Sequence, residues 1–252
     1  MRVVLTRPRR EAGRWAQALT ARGHEVLLLP LMAIAPAPDP ASLRRSVDAL
    51  SGYQAAMFVS GSAVRGFFHE SVPWPGTTRA WCTGPGTARA LQECGVPAAN
   101  IDAPGADAPQ FETEALWPLV ADQVRAGTRV LLVRGAGPDG QPSGRDWLAS
   151  RLQAAGAQVD IVASYMRQAP AWSDQERAIA SEAASDGSIW LLSSSEALAN
   201  LRALLPGVPL AQARAVATHE RIAQAARDAG FGVVCLSRPS EDAVTATLES
   251  IG

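Results

Sequence analysis

The chain has 252 residues and a formal net charge of −1, with 47% apolar and 19% charged residues. This composition is typical of a soluble globular protein with a substantial core. It excludes a molecule-wide basic field for nucleic acid or a membrane surface, so an anionic ligand would need locally placed donors. The length allows one large domain or two domains of modest size.

The first residues and the cysteines indicate an intracellular location. MRVVLTRPRRE has three strongly apolar residues before Thr6 and then a basic run, unlike a signal peptide. The longest uncharged stretch, VLLLPLMAIAPAP, is short and interrupted by prolines, so no membrane span is predicted. Cys82, Cys94 and Cys235 form no CxxC motif, and we expect reduced cytosolic thiols that act as small buried hydrophobic residues.

The predicted elements begin with a strand, a loop and a helix, and this series occurs twice. RVVLTRP (2–8) and RVLLVRG (129–135) are apolar strands, followed by the helices RWAQALTARGHEV and DWLASRLQAAGAQV. The helices end at Gly23 and Gly156, since a glycine after the last apolar turn commonly stops a helix.

Three further pairs of segments follow in the same order. Arg79 and Arg214, for example, are 135 positions apart. Four successive matches indicate an internal duplication. The later pairs are MFVSGSAV (57–64) with LLSSSEAL (191–198), RAWCTGPGTARALQECG (79–95) with RAVATHERIAQAARDAG (214–230), and NIDAPGADAPQFETEAL (100–116) with VCLSRPSEDAVTATL (234–248).

Short apolar strands that alternate with amphipathic helices predict an α/β fold with parallel sheets. Right-handed crossovers then favour flavodoxin-like doubly wound domains, one for each copy. Two stretches resemble linkers, PLMAIAPAPDPAS (30–42) and YMRQAPAWSDQE (165–176), and both follow the second strand of their copy. The pattern alone favours two sequential halves as domains.

Ligands of parallel sheets bind beyond the carboxyl ends of the strands. The loops there are rich in Gly, Ser, Thr and Arg and lead into helix N-termini, whose free N–H groups bind anions. The alternative is that their Ser, Thr and Asp residues are only N-caps. The loops are TRPRR, SGSA, TGPGT, APGADA, RGAGPDGQPSG, SSSEA, THER and SRPSED.

Nucleotide and metal sites are not predicted. TGPGT lacks the lysine and the spacing of a P-loop, and it does not fit GxGxxG. His24, His69 and His219 lack ligand-like spacing, and His24 is expected at the surface. No Ser-His-Asp or Cys-His arrangement is recognisable.

Taken together, the motifs resemble those of uroporphyrinogen-III synthases over essentially the whole chain. The resemblance rests on the ordered set LTRP, GHEVLLLPL, FVSGSAV, TGPGTARAL, GRDWLASRLQAAGAQVDIVASYMR, SSSEAL and ATHERIAQAARDAGF. It implies two flavodoxin-like doubly wound domains joined by a two-stranded linker. One domain would comprise residues 1–34 plus 168–252 and the other 35–167, with linkers near 30–42 and 163–176.

The resemblance also implies an activity. Members of this family cyclise hydroxymethylbilane, a linear tetrapyrrole with eight carboxylates, by losing water and inverting the last ring to give uroporphyrinogen III. It implies a hydro-lyase of haem, sirohaem and cobalamin biosynthesis that uses no metal or cofactor. We expect a cytoplasmic monomer in transient contact with hydroxymethylbilane synthase, without nucleic-acid or membrane partners. Its work would be mostly to fold the substrate.

The resemblance further implies roles for individual residues. Tyr165, one of two tyrosines, matches the tyrosine of a YxR element and is expected to hydrogen-bond or protonate the departing hydroxyl. The alternative is an aromatic that anchors the linker by packing. Arg167 is expected to clamp a carboxylate, or else to be a solvated linker charge. The other expected substrate-binding residues are Arg7, Ser60, Ser62, Gly84, Thr87, Arg134, Ser194, Ser195, His219 and Arg221.

One position departs from the family pattern. Many relatives have a Gly-x-x-Thr loop in the last quarter, whereas this chain reads HERI with Ile222 in place of the threonine. We expect His219 or Arg221 to compensate. Two other functions stay open: a non-catalytic tetrapyrrole- or anion-binding domain of this fold, and a flavodoxin-like or solute-binding module for another anion.

Overall fold

The computed structural model describes residues 1–69, 72–105, 108 and 110–251. It divides into two compact units, each built on one sheet. Unit 1 comprises Met1–Ala33 and Ala169–Gly252, and unit 2 comprises Ile34–Gln168. The division into two independent domains, with bounds 1–34 plus 168–252 and 35–167, stays a prediction.

Strands and helices alternate along the described chain. The strands are β1 (Arg2–Leu5), β2 (Glu25–Leu28), β3 (Ala33–Pro36), β4 (Ala55–Phe58), β5 (Arg79–Cys82), β6 (Ile101–Asp102), β7 (Arg129–Ala136), β8 (Gln158–Gln168), β9 (Ile189–Leu192), β10 (Arg214–Ala217) and β11 (Val233–Leu236). The helices are α1 (Arg9–Ala21), α2 (Pro40–Asp48), α3 (Gly61–Phe67), α4 (Pro85–Glu93), α5 (Thr113–Val120), α6 (Trp147–Ala154), α7 (Asp174–Ala183), α8 (Ser195–Leu204), α9 (Glu220–Asp228) and α10 (Glu241–Ile251).

The sheet of unit 1 has the strand order β2-β1-β9-β10-β11, and its strands pair in parallel. This is the flavodoxin-like order 2-1-3-4-5. The sheet is buried on both faces, as parallel sheets usually are. Val4 and Trp190 pack on the side of α8 and α9, and Val3 and Leu5 pack on the side of α1 and α10.

The sheet of unit 2 repeats this plan with a permuted chain order. Its strands follow the order β3-β8-β7-β4-β5-β6, and those from β8 to β6 pair in parallel. Because β7 and β8 correspond to β1 and β2 of unit 1, the strand order is again 2-1-3-4-5. Strand β3 is added at the edge beside β8. Phe58 and Leu91 pack on one face, and Trp81 and Leu152 pack on the other. The predicted fold class is confirmed.

Both stretches that the sequence indicates as linkers contain strand. β3 lies within the first stretch, and β8 continues through Tyr165 to Gln168 in the second. The sequence suggested that the strand ends at Tyr165, whereas in the structure Tyr165 lies inside β8. The ladder with β7 extends as far as the pair Ala136–Met166, so the backbone of Tyr165 has strand partners.

Candidate functional site

Ser60 begins helix α3 directly beyond the carboxyl end of β4. Its backbone is extended, and its Oγ accepts a hydrogen bond from the Ala63 N–H at 3.1 Å. Ser60 is therefore an N-cap, and it satisfies one of the free donors of the helix. Ser62, in the first turn, is buried. The capping role does not occupy the hydroxyl proton of Ser60, which is free to meet a second group.

The second group is the hydroxyl of Tyr165. The Ser60 Oγ and Tyr165 Oη atoms are 3.3 Å apart, and either can donate. Tyr165 is only 6% exposed and belongs to the hydrophobic cluster that contains Phe58 and Val162. The residue thus packs in the core of unit 2 while its hydroxyl reaches the beginning of α3.

A β-bulge in β8 directs Tyr165 to this face. Arg134 pairs with Ala163, but the next residue, Gly135, pairs with Tyr165, so that Ser164 is an extra residue. An extra residue bends a strand and re-aims the side chains that follow it.

The face on which Tyr165 packs shows the effect of the bulge. Val159 packs with the cluster of α5 and α6, whereas Val162 and Tyr165 pack with the cluster of α3. Regular alternation would put Tyr165 on the face of Val159, because an even number of positions separates them. The Ser164 Oγ donates to the Ala63 carbonyl at 2.9 Å, which ties the bulge to α3.

Two glycines allow this close packing, and neither was predicted as a site residue. A Cβ on Gly66 of α3 would overlap the backbone carbonyl of Ser164. A Cβ on Gly135 would lie 2.5 Å from Tyr165 Cζ and 2.5 Å from Arg167 Nη1. For Gly135 the signal was a glycine inside an otherwise apolar strand, which often marks a bulge or a close approach.

Arg167 is half-buried and is held beside Tyr165 rather than fully solvated. Its guanidinium carbon is 6.0 Å from the centre of the Tyr165 ring, and its Nη2 donates to Ser143 Oγ. Ser143 lies in the loop between β7 and α6. The structure therefore brings Ser60, Tyr165 and Arg167 together on one face of unit 2.

Arg134 lies on the opposite face of the sheet. It is 4% exposed, and its Nη1 is 2.9 Å from Asp146 Oδ1. By alternation its side chain shares the face of Leu132, on the side of α6. Arg134 therefore pairs with an acidic residue of the chain itself, and its contact with a substrate carboxylate stays a prediction.

Gly84 and Thr87 lie at the beginning of α4. Gly84 is the N-cap, and a Cβ there would lie 3.2 Å from the Phe111 side chain. Thr87 is buried in the first turn. Phe111 therefore lies against this helix end. Part of the predicted ligand loop APGADA, at positions 106 and 107, lies outside the described residues.

In unit 1, Arg7 follows β1, at the position that corresponds to Arg134 within β7. Its guanidinium carbon is 4.6 Å from the centre of the Trp15 ring, and its Nε is buried without a hydrogen-bond partner among the described residues. Burial lowers the pKa of the Arg7 guanidinium, and nearby Glu11 and Glu241 oppose that shift. Arg7 is thus a poorly solvated cation, which gains more than a surface arginine from an anionic partner.

Ser194 and His219 begin the helices that follow β9 and β10. Ser194 Oγ accepts from the Ala197 N–H at 3.3 Å, as Ser60 does at the corresponding position of unit 2. His219 Nδ1 accepts from the Arg221 N–H at 3.0 Å. Ser195 is half-buried and Arg221 is exposed. Ser194 and His219 therefore combine capping with a position at a helix N-terminus.

Ile222 points into the core of unit 1, where it is 5% exposed. The corresponding Thr87 of unit 2 is also buried. The side chain at this position is therefore directed towards the core in both units, which explains why an apolar residue fits in α9. Compensation by His219 or Arg221 stays a prediction, as does every ligand contact of the residues above.

The structure also bears on the expectations for His24, for metal ions and for membrane spans. His24, expected at the surface, is half-buried, with its Nε2 atom enclosed. Within the described ranges, no three His, Cys, Asp or Glu residues cluster in a way that could hold a metal ion. No helix among the described residues combines the length and hydropathy that crossing a bilayer requires.

The chain is similar to a known protein family and to solved structures. The family model described as uroporphyrinogen-III synthase HemD matches residues 13–246. A uroporphyrinogen-III synthetase structure from Helicobacter pylori is 15% identical, with a TM-score of 0.63 over 100% of both chains. A mutant uroporphyrinogen III synthase structure from Thermus thermophilus is 18% identical, with a TM-score of 0.58 over 100% of this chain and 98% of that chain. At these identities the structures show a shared fold, and the family match extends over most of the sequence. The chain belongs to the uroporphyrinogen-III synthase HemD family.

Proposed function

We propose that the protein is a uroporphyrinogen-III synthase, which converts hydroxymethylbilane to uroporphyrinogen III and water. The observation that carries the proposal is the family match over residues 13–246. The Ser60–Tyr165 contact supports it, because the tyrosine implied by the resemblance has its hydroxyl at a helix N-terminus.

Tyr165 is proposed to assist the loss of water. Its hydroxyl donates a hydrogen bond to the departing hydroxyl while the C–O bond breaks and the pyrrole N–H proton is released, which leaves an azafulvene. The substituted carbon of the far ring then attacks, and a spiro intermediate fragments and closes again with that ring inverted. Ser60 orients the phenol, since its own hydroxyl is fixed by capping α3.

The eight carboxylates are proposed to bind through many weak donors. In unit 2, α3 and α4 begin beyond the carboxyl ends of β4 and β5, and a helix N-terminus contributes about 0.3–1 kcal/mol to binding one negative charge. Arg167 supplies a charged donor beside Tyr165. Such dispersed contacts suit a protein whose net charge is only −1.

The test supplies freshly prepared hydroxymethylbilane and resolves the isomers formed. Without catalysis the open chain closes to the type I isomer, so type III product is the diagnostic signal. We expect type III to predominate with native protein and type I with heat-denatured protein. Equal isomer distributions in the two samples would contradict the proposal.

A second candidate is a non-catalytic tetrapyrrole-binding protein of the same fold. The burial of Tyr165 favours it, because a 6% exposed phenol is less available to a ligand than an exposed one. In that case uroporphyrin I would bind to the protein, but hydroxymethylbilane would still close only to type I. The isomer assay and a binding titration together distinguish the two functions.

A further inference from the structure

Unit 2 contains a loop that is longer than the corresponding connection of unit 1. In unit 1 the chain passes from Leu5 at the end of β1 to Arg9 at the start of α1. In unit 2 the corresponding connection, from Ala136 to Trp147, includes residues 137–146, here called the 137–146 loop. The added residues lie at the carboxyl end of β7, on the edge where parallel sheets bind ligands.

The 137–146 loop is internally hydrogen-bonded. The Gly137 N–H donates to the Gln141 carbonyl at 3.1 Å, and the Gly140 N–H donates to the Gly137 carbonyl at 3.0 Å. The Ser143 N–H returns to the Gly135 carbonyl at 3.0 Å. The loop therefore has a defined conformation and is anchored to the end of β7.

The loop provides partners for arginines on both faces of the sheet. Ser143 accepts from Arg167 beside Tyr165, and Asp146 pairs with Arg134 on the side of α6. The two side chains of the second pair differ in solvent exposure, because Arg134 is 5% exposed and Asp146 is 72% exposed. A buried guanidinium needs a counter-charge, and here a solvent-facing carboxylate supplies it.

Asp146 occupies the N-cap position of α6, but its side chain makes no capping hydrogen bond. An aspartate at this position normally accepts from the helix backbone. Here its Oδ1 faces Arg134 Nη1 instead. The geometry is that of a carboxylate bound to an arginine.

We propose that Asp146 occupies a carboxylate subsite on Arg134, and that a carboxylate of the substrate displaces it. The identity of that substrate rests on the proposed function. An incoming carboxylate carries the same charge and can pair with both guanidinium nitrogens, so the exchange leaves Arg134 neutralised. Asp146 therefore acts as a built-in competitor that lowers affinity for polycarboxylates.

The experiment measures binding of uroporphyrin I, which carries eight carboxylates, by fluorescence titration of the full chain. Removal of the competing charge in Asp146→Asn should tighten binding about two- to tenfold. Asp122→Asn, which removes an exposed charge elsewhere in unit 2, serves as the matched control and should leave binding unchanged. Arg134→Gln should weaken binding, and adding Asp146→Asn to it should give no further gain.

Weaker or unchanged binding by a folded Asp146→Asn variant would overturn the inference, because Asp146 would then only hold Arg134 in place. Asp146→Ser provides a second variant, since serine caps α6 without a charge and should also tighten binding. The titration needs no turnover. Tighter binding by both variants without type III product would therefore reject the proposed function but keep the subsite.

Discussion

Replacing Gly135 with alanine should displace the proposed catalytic tyrosine. The new Cβ would lie 2.5 Å from Tyr165 Cζ, 2.8 Å from Tyr165 Cε2 and 2.5 Å from Arg167 Nη1. Arg167 can turn aside, but the Tyr165 ring is enclosed in the core of unit 2. Restoring an ordinary carbon–carbon separation requires the ring to move by about 1 Å. Overpacking of this kind typically costs about 1–3 kcal/mol of the free energy of unfolding.

The same displacement should slow the reaction, since the Ser60–Tyr165 contact is already 3.3 Å long. A shift of about 1 Å at a reacting group can cost about 10²-fold in rate. Urea unfolding and single-turnover cyclisation of Gly135→Ala measure the two effects separately. Gly76→Ala is the control, because nothing lies within 4 Å of its Cβ position. Wild-type stability together with a wild-type rate for Gly135→Ala would refute the reasoning.

Three further predictions concern titration, reactivity and stability. Burial, with the hydrogen bond to Asp160, raises the pKa of Tyr53 to about 12, above the ordinary value of about 10. The neutral phenol therefore stabilises the folded state fully below pH 10, and this contribution to the free energy of unfolding is lost as pH rises towards 12. Ultraviolet titration of Tyr165→Phe, in which Tyr53 is the remaining tyrosine, should show this raised midpoint, and a midpoint near that of the unfolded chain would disprove it. Burial raises the pKa of the Cys82 thiol to about 12, so iodoacetamide should label Cys82 only after unfolding; rapid labelling of the native protein would contradict its burial. Gly13→Ala, at an exposed position inside α1 with nothing within 4 Å of its Cβ position, should raise the free energy of unfolding by about 0.5–1 kcal/mol, and a lower urea midpoint would be the opposite result.

The sheets and helix caps were predictable because their signals are local and occur twice. Strand-length apolar runs that end in serine, threonine or glycine recur in the same order, and both Ser60 and Ser194 cap the helices that follow. Each such cap depends on residues three positions apart, which the sequence displays directly. The duplication then implied the same sheet plan twice, and both sheets have it.

The orientation of Tyr165 was not predictable in this way. It depends on the register between β7 and β8 and on the extra residue Ser164, and the sequence displays neither. Gly135 carried a partial signal as a glycine within a strand, but the aromatic ring that approaches it comes from β8, thirty positions further along the chain. The pairing of Arg134 with Asp146 depends likewise on the path of the 137–146 loop.

The position of Ile222 illustrates a different limit. The sequence suggested a lost polar ligand group, because threonine is common there in relatives. The structure shows that this residue of α9 packs in the core of unit 1 with residues of α8, where an apolar side chain is favourable. A motif comparison records the residue type at a position, whereas the direction of the side chain depends on how the helix packs.

The central claim is that this chain makes the type III isomer with help from the Tyr165 hydroxyl. Its most direct test compares wild type and Tyr165→Phe in single-turnover cyclisation of hydroxymethylbilane, with the isomers resolved. General acid assistance is typically worth about 10²–10⁴-fold in rate. We expect the rate of Tyr165→Phe to fall by a factor near or below the lower end, because the hydroxyl of a hydroxymethyl group on an electron-rich pyrrole leaves readily. Type III should still predominate, since folding of the substrate sets the isomer. A folded variant with the wild-type rate would limit Tyr165 to packing, and a wild-type protein that yields only type I would contradict the whole account.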